Sequence, residues 1–390
     1  MNSFDFIKTK EKEITSFLQE LVRAPSQNGI DPERNIAALI YKRLKRFGLK
    51  PSLLVGEKNR PTILCYCNKS KGRNLWLDAP LDTVAIGDKN KWKYPPFSGK
   101  IVGNNLYGRG SADCKAAIAI FTYIAAAISQ SQERLKGQLL LSFDSDEQSG
   151  NFTGIKNLLR KGVRADACII GYPGTEEIII GARGFLRLNI TTFGKTAHTG
   201  SREHKGLNAI SKMVKVIQSL EKLKMKYKKC DLFKFGPNLT VSQIEGGRAI
   251  NIVPDECNIK VDIRLVPSQT KDTVMKEIND LLKKLKKNDP ELRVKIEPYL
   301  YEAPFQTSKN SRIIKILKKN AEKILGKRIK IAAAGGSGIG NETGNKGIPT
   351  ITGFGVDFNN IHSENEYILV NSILPVTKIY LKTVLDFLIF

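Results

Sequence analysis

Four short segments gather acidic side chains, glycines and, in one of them, a histidine near the ends of predicted strands. They are LDAPLDTVAIGD (77–88), YGRGSADCKAA (107–117), SFDSDEQSGNFTG (142–154) and GFGVDFNNIHSENE (353–366). Carboxylates and imidazoles bind metal ions and transfer protons, and α/β sheets build their sites at strand ends. Each segment taken singly is also typical of an ordinary acidic loop, so only their combination can indicate a site.

Alternating strands and helices would position the first three segments. Apolar periodicity predicts helices at 10–23, 31–47, 116–128 and near 152–161, and apolar runs predict strands at 62–67, 74–79, 137–143 and 167–171. Asp31 is the predicted cap of the second helix, and Gly48 is its predicted stop. This alternation predicts an α/β fold with a largely parallel sheet.

The pattern changes after about residue 180. The segments 185–193 and 256–266 alternate apolar and polar residues, which is typical of an antiparallel sheet with one wet face. Predicted helices at 206–226 and 268–287 flank them, and the α/β pattern returns with helices at 309–325 and 371–388 and strands at 328–334 and 350–355. The prediction is an α/β domain of residues 1–180 and 298–390 that carries an inserted α+β domain of residues 181–297.

The composition is globular, with 41% hydrophobic and 26% charged residues. The chain carries 63 Lys and Arg against 38 Asp and Glu, a net charge of +25. The densest basic runs, at 222–229, 283–287 and 315–330, lie on predicted helices, where lysine is a common surface residue. Solvated helix faces are therefore favoured over nucleic-acid contact. No apolar run approaches the ~20 residues of a membrane span, and a cytoplasmic protein is expected.

The order and flanking residues of these segments resemble the co-catalytic zinc aminoacylase and carboxypeptidase family. That family includes acetylornithine deacetylase, succinyl-diaminopimelate desuccinylase, aminoacylase-1 and glutamate carboxypeptidase. The resemblance runs from about residue 10 to the carboxyl end and is strongest at 92–119, 194–210 and 246–267. It implies a zinc-exopeptidase-like catalytic domain with an inserted lid and dimerisation domain, a homodimer formed through that lid, and an amino-acid-like or peptide-like ligand.

The resemblance also implies a site with two zinc ions, a bridging aspartate and a glutamate base. Asp113 matches the bridging aspartate, Glu147 the general base, and His362 the last metal ligand. Asp82 matches the aspartate that orients a ligand histidine. Either a proton or a nearby cation, with Lys115 and Arg109 in the same loop region, is expected to offset part of this negative charge.

Three of the five ligand positions depart from the family pattern. Pro80 stands where the family has a histidine, while Gln148 and Tyr172 stand where it has acids. Proline offers no ligand atom, and a phenol is a poor substitute for a carboxylate. The expectation is either no metal or one weakly bound divalent ion, most simply zinc, at Asp113 and His362 with help from Gln148.

Four further residues match positions that contact the substrate in the family. They are His198, Asn251, Arg264 and Gly336, and Arg264 is suited to a bidentate grip on a carboxylate. Where the family often has an aspartate shortly after this glycine turn, the chain has Gly338. The third histidine, His204, has no matching role.

Three functions remain open on these grounds. The first is a divergent family member that binds its ligand but has lost ordinary di-zinc hydrolysis. The second is a residual amidase, deacylase or peptidase that uses one weak metal, or Glu147 and Asp82 as a metal-free acid/base pair. The third is a regulatory or interaction subunit.

Overall fold

A computed structural model describes residues 2–56, 60–68, 70–131, 133, 135–203 and 205–389, so His204 lies outside the described residues. The chain divides into two compact units. Unit 1 comprises Met1–Gly181, Gln306–Ala333 and Gly338–Phe390, and unit 2 comprises Ala182–Phe305 and Ala334–Ser337.

The helices of the described residues agree with the apolar periodicity of the sequence in most places. They are α1 (Ser3–Thr9), α2 (Glu11–Val22), α3 (Arg34–Arg46), α4 (Ala116–Gln130), α5 (Thr153–Arg160), α6 (Ala209–Glu221), α7 (Lys271–Asn288), α8 (Arg312–Leu325), α9 (Ile339–Asn345) and α10 (Ile373–Ile389). Short helical turns lie at Lys89–Lys91, Ser111–Lys115 and Val370–Ser372.

The strands of the described residues include every strand that the sequence predicted and others that it did not, among them the long strands Asn238–Gly246 and Arg293–Glu302. They are β1 (Ser52–Val55), β2 (Pro61–Tyr66), β3 (Arg73–Pro80), β4 (Lys100–Val102), β5 (Asn105–Tyr107), β6 (Gly137–Asp144), β7 (Ala167–Ile170), β8 (Glu177–Ala182), β9 (Gly184–Phe193), β10 (Asn238–Gly246), β11 (Glu256–Leu265), β12 (Arg293–Glu302), β13 (Phe305–Gln306), β14 (Lys330–Ala334), β15 (Thr350–Ile351), β16 (Phe358–Asn359) and β17 (Tyr367–Leu369).

The central sheet of unit 1 has the strand order β1-β2-β6-β3-β7-β15. Strands β6, β3, β7 and β15 run parallel to one another, whereas β2 is antiparallel to β6 and β1 is antiparallel to β2. Strands β3, β6 and β7 are almost continuously buried, as expected of parallel strands covered on both faces. The predicted α/β fold with a largely parallel sheet is confirmed.

Helix α4 forms the centre of the unit 1 core. By length and composition the stretch Ser111–Gln130 could cross a membrane, yet its most apolar 18-residue window is completely buried inside the protein, as a core helix is. Gly171 follows β7, and a Cβ added there would lie 2.2 Å from the Cβ of Ala117 on α4. A glycine is therefore required where the end of β7 meets this helix.

Unit 2 contains an antiparallel sheet of order β10-β11-β9-β12. The predicted inward set on β11, namely Ile259, Val261, Ile263 and Leu265, is buried in one apolar cluster with residues of α6 and α7. The predicted division at 297 and 298 falls inside β12, which pairs with β9 along its length. The observed boundary between Phe305 and Gln306 keeps that strand whole.

Three local predictions were wrong. Asp31 does not cap a helix, because its carboxylate accepts from the backbone N (2.9 Å) and Nε2 (2.8 Å) of Gln27, and α3 begins only at Arg34. The helix predicted at 206–226 begins at Ala209, because the Asn208 side chain caps it. The strand predicted at 350–355 ends at Ile351, because the backbone N–H of Thr352 bonds to Ile179 on β8 and that of Phe354 bonds to Tyr172.

Candidate active site

The carboxyl ends of three parallel strands bring the retained acids together in unit 1. The register pairs Pro80 on β3 with Asp144 on β6, and Asp78 on β3 with Ile170 on β7. Asp82, Glu147 and Tyr172 follow these strand ends by two or three residues. They therefore lie at one edge of the sheet, the edge where parallel α/β sheets place their sites.

Asp82 anchors the turn that follows β6. Its carboxylate accepts from the backbone N–H of Glu147 (3.0 Å) and of Gln148 (2.9 Å). It also accepts from Asn28 Nδ2 at 2.7 Å. Asn28 follows α2 in the chain, and sequence reasoning missed it because an isolated asparagine in a loop carries no recognisable pattern.

Asp113 lies in the helical turn before α4, and protein donors surround its carboxylate. Oδ2 is 2.7 Å from His362 Nε2 and accepts from Gln148 Nε2 at 3.2 Å, while Oδ1 accepts from Cys114 Sγ at 2.6 Å. The hydrogen bond to Asp113 is the main cause that raises the pKa of His362, so the imidazolium form is favoured. The candidate bridging aspartate is thus hydrogen-bonded on both oxygens.

A second carboxylate, Glu366, fixes the backbone that carries Asp113. It is 1% exposed and accepts from the N–H groups of Gly110 (3.0 Å), Ala112 (2.9 Å) and Asp113 (3.3 Å). It also pairs with Arg109 at 2.6 Å. Sequence reasoning missed this residue, since nothing in the chain pattern links it to a loop more than 250 residues earlier.

Tyr172 occupies the position of a family ligand acid and bonds to the candidate base. Its hydroxyl donates to Glu147 Oε1 at 2.8 Å and accepts from the backbone N–H of Ile339 at 3.4 Å. Burial raises the pKa of the phenol well above its usual range, so it stays a proton donor. A Cβ added at Gly338 would lie 2.8 Å from this hydroxyl, so the tyrosine fits only beside a glycine.

The three acids Asp82, Asp113 and Glu147, called the acidic cluster below, are difficult to ionise together. Burial is the largest cause that raises the pKa of Glu147 well above its usual range, followed by the charges of Asp113 and Asp82. Burial also raises the pKa of Asp82, although its hydrogen bonds oppose the shift. Behind them, burial raises the pKa of Asp78 to about 7.

The basic residues expected to offset this charge are committed elsewhere. Arg109 pairs with Glu366, and Lys115 is fully buried and donates to the carbonyl oxygen of Ala24 at 2.9 Å. Arg60 lies next to this group, since it pairs with Asp146 on the same turn as Glu147 and lies 3.3 Å from Glu33. Arg60 lies before β2, in a segment that sequence reasoning did not examine for charge.

A pair of metal ions does not fit these residues. Pro80 offers no ligand atom, Gln148 directs an N–H donor at Asp113, and Tyr172 keeps its proton. Within the described ranges, no group of three His, Cys, Asp or Glu side chains is arranged to hold a metal ion. The carboxylate that would bridge two metals accepts protein hydrogen bonds in their place.

Unit 2 carries the four residues predicted to contact substrate. The backbone N–H of Thr199 bonds to the carbonyl of Asn251 at 3.0 Å, which places Asn251 beside His198. Nδ1 of His198 accepts from the N–H of Gly200 at 3.0 Å. Arg264 projects from β11 and donates from Nε to Asp262 at 2.7 Å.

The fourth of these residues, Gly336, lies in a turn tied to Arg183. Nε of Arg183 donates to the carbonyl of Gly335 at 2.7 Å, and Ser337 Oγ donates to the carbonyl of Arg183 at 2.6 Å. A Cβ added at Gly336 would meet nothing within 4 Å. The turn therefore leaves open space at Gly336.

Comparison with known proteins identifies the class. The model of the peptidase family M20/M25/M40 matches residues 76–386, so the chain belongs to this family. The fold is similar to that of the M20 family metallo-carboxypeptidase Sso-CP2 from Sulfolobus solfataricus, with a TM-score of 0.81 at 19% identity, over 97% of this chain and 100% of that one.

Two further solved structures share the fold. Aminopeptidase PepT from Bacillus cereus matches with a TM-score of 0.79 at 21% identity, over 97% of this chain and 98% of that one. The Bacillus subtilis YXEP protein, described as a dinuclear metal binding peptidase of the M20 family, matches with a TM-score of 0.75 at 14% identity, over 98% and 99%. The predicted resemblance to a metallopeptidase and deacylase family is confirmed.

The Glu366 anchor predicts a large loss of stability on truncation. Glu366→Ala leaves the buried Arg109 and three loop N–H groups without their partner, and removing one member of a buried ion pair costs about 3–5 kcal/mol. Urea unfolding should show a loss of this order. As the control, Asp280→Ala removes the acid of an exposed pair with Lys283 and should cost under ~1 kcal/mol. Equal losses in the two variants would contradict the anchoring role.

Proposed function

We propose that this chain is a divergent M20-family protein that binds an amino-acid-like or peptide-like ligand and has lost ordinary two-metal amide hydrolysis. One observation carries the proposal: two residues that replace family ligands act as hydrogen-bond donors to the retained acids. Gln148 Nε2 donates to Asp113, and the Tyr172 hydroxyl donates to Glu147. A general base must be ionised to accept a proton, and the burial of Glu147 next to two other acids opposes ionisation.

The fit between Tyr172 and Gly338 supports the same proposal. Both positions depart from the family pattern, and the tyrosine hydroxyl occupies space that a Cβ at position 338 would enter. An isolated loss of one ligand would leave a gap or an unpaired acid. Two departures that fit each other indicate a site rebuilt around hydrogen bonds.

Residual hydrolysis with one weak metal is the second candidate. It is favoured by the direct contact of Asp113 with His362 at 2.7 Å, because the two retained ligand types already face each other. A zinc ion there would need a third ligand, and Gln148 would have to turn its carbonyl oxygen toward it. The metal-free alternative is less favoured, since three hydrogen bonds commit Asp82 to holding the turn at Glu147 and Gln148.

The ligand proposal rests on unit 2. Arg264 would grip a carboxylate with the guanidinium nitrogens beyond the Nε that bonds to Asp262. His198, Asn251 and Gly336 would supply further contacts. A third possibility is a regulatory or interaction subunit, which would pair with an active relative through the lid domain or present a basic surface to nucleic acid, and which needs no small ligand.

Metal content and ligand binding test the leading proposal directly. After incubation with zinc and dialysis, elemental analysis should find fewer than one zinc per chain, because three ligand positions are replaced. Isothermal titration with N-acetyl amino acids and dipeptides should show saturable binding, while chromatography of the same mixtures should show no amide cleavage above that of buffer.

Each alternative has its own outcome in this experiment. Two zinc ions per chain after dialysis would overturn the proposal and mean that other residues had been recruited. One zinc with slow cleavage that a chelator abolishes would favour the residual hydrolase. If the protein binds neither metal nor ligand, the interaction subunit is the candidate that remains.

Restoring the family ligands should restore metal binding if the scaffold is otherwise intact. The variant Pro80→His, Gln148→Glu, Tyr172→Glu supplies an imidazole and two carboxylates around Asp113. Elemental analysis should then find one to two zinc ions per chain. The matched control Gln148→Glu alone adds one ligand and should gain little zinc.

Two features of the site bear on this variant. Asp82 accepts three hydrogen bonds and retains room for one more, which a zinc-bound imidazole would use. Gly338 would leave space where the tyrosine hydroxyl had been. If the folded triple variant binds no more zinc than the parent, the site has been remodelled beyond its ligands.

We also propose a homodimer through residues 194–226 of unit 2. Val214 on α6 is 44% exposed and would be covered by the partner copy. Light scattering at micromolar concentration should give twice the chain mass, and Val214→Glu should shift it toward the monomer. Leu53→Glu on β1, equally exposed at 44% but in unit 1, should remain dimeric. A monomeric parent protein would contradict the proposal.

A further inference from the structure

A basic groove lies between α8 and α10 of unit 1. The residues that line it are not residues of the candidate active site. Its cavity has a volume of about 600 Å³, within the range of small-molecule sites. Five cationic side chains line it, Arg312, Lys315, Lys319, Lys323 and Lys382, together with one acid, Asp386, which pairs with Lys382 at 3.0 Å. The sequence pattern favours an ordinary solvated helix face for the basic run 315–330. In the structure, part of this run lines a concave groove instead of a convex surface.

The cations of α8 form one stripe. Arg312, Lys315, Lys319 and Lys323 are spaced by three or four residues, so they share one face of the helix. At 1.5 Å per residue the stripe is about 16 Å long. Like charges at this spacing destabilise a helix, so the stripe is unfavourable without an anion.

Little within the described residues neutralises this stripe. The one acid of α8, Glu322, pairs with Lys318, which does not line the groove. Lys315, Lys319 and Lys323 make no ion pair in the described part of the chain. The first turn of α8 has no acidic residue, and Ser311 makes no side-chain cap, so the positive end of the helix dipole adds to the same potential.

A buried amide gives an independent indication of a ligand. Asn320 lines the cavity and is 1% exposed. Its Nδ2 donates to Asp386 Oδ2 at 3.0 Å and to Thr383 Oγ1 at 3.3 Å, whereas its Oδ1 has no hydrogen-bond partner among the described residues. A buried acceptor left without a donor is costly. A hydroxyl or amine of a bound molecule would satisfy it.

We propose that this groove binds a phosphorylated ligand that combines two or more closely spaced phosphates with a hydrogen-bond donor, as a nucleoside polyphosphate does. The phosphates would accept from the lysines and Arg312 of the stripe, and the donor would reach Asn320. A free nucleotide and the backbone of a nucleic acid share this chemistry. The proposal does not depend on the fate of the catalytic-type site.

Titration calorimetry of the full chain with ATP, with pyrophosphate and with a short single-stranded oligonucleotide tests this assignment. At low salt, we expect saturable binding of ATP with one site per chain. The variant Lys315→Glu, Lys319→Glu, Lys323→Glu should weaken it about tenfold or more and flatten its salt dependence by about two to three units of slope. Lys276→Glu, Lys284→Glu, Lys287→Glu on α7 carries the same charge change and should leave binding nearly unchanged.

The probes distinguish the source of the phosphates. Binding of ATP more tightly than pyrophosphate supports a free nucleotide that also uses Asn320, whereas binding of the oligonucleotide alone, lost in the α8 variant, supports a nucleic-acid backbone in the same groove. No saturable binding of any probe, or equal losses in the two triple variants, would overturn the proposal. Should the α8 variant melt earlier than the parent, Lys319→Ala, which favours helix formation, provides the same comparison.

Discussion

Several carboxylates are buried at one edge of the central sheet. The rest of the site depends on how their negative charge is compensated. An isolated buried charge is far more expensive than a buried neutral group, so each acid needs a cation, a set of donors or a proton. Glu366 has Arg109 and three N–H groups. Asp113 has His362, Gln148 and Cys114. Glu147 has one phenol donor, and burial next to Asp113 and Asp82 raises its pKa well above the usual range.

This distribution gives a physical reason for the pattern of replacements. A metal pair compensates a cluster of acids with positive charge, and its removal would leave the acids unbalanced. Replacing two carboxylates by an amide and a phenol lowers the negative charge and adds N–H and O–H donors at the same positions. The amide donates to Asp113, and the phenol donates to Glu147. The bulk of the phenol then requires Gly338, because a Cβ there would lie 2.8 Å from the hydroxyl.

The sequence predicted the parts of this arrangement that follow from periodicity. Helices with an apolar stripe, such as α2 and α8, and buried strands, such as β3 and β6, were placed within a few residues. The edge strand β10 was missed, because most of it is exposed and its alternation stops after Val241, where the pairing register shifts. Helix ends were misplaced where a single side chain decides them, as Asn208 does for α6.

The site itself was only partly predictable, for a related reason. Asp82, Glu147 and Tyr172 follow strands, so strand prediction alone brings them to one edge of the sheet. Glu366 and Asn28 act through backbone geometry across long sequence separations, and no local pattern reports such contacts. The partners of Lys115 and Arg109 were mistaken because proximity in sequence to Asp113 does not fix where a long side chain points.

The large positive charge has little to do with these buried acids. Among the residues that the structure describes, Arg109, Lys115 and Lys212 are the basic residues with buried side chains, and Arg109 pairs with Glu366 behind the site. The excess of 25 positive charges therefore resides on the surface. A uniformly charged surface would repel itself weakly and evenly. A stripe of four cations on one face of α8, lining a cavity with an unsatisfied buried amide, concentrates that repulsion in one place. An anionic ligand in the groove would relieve it.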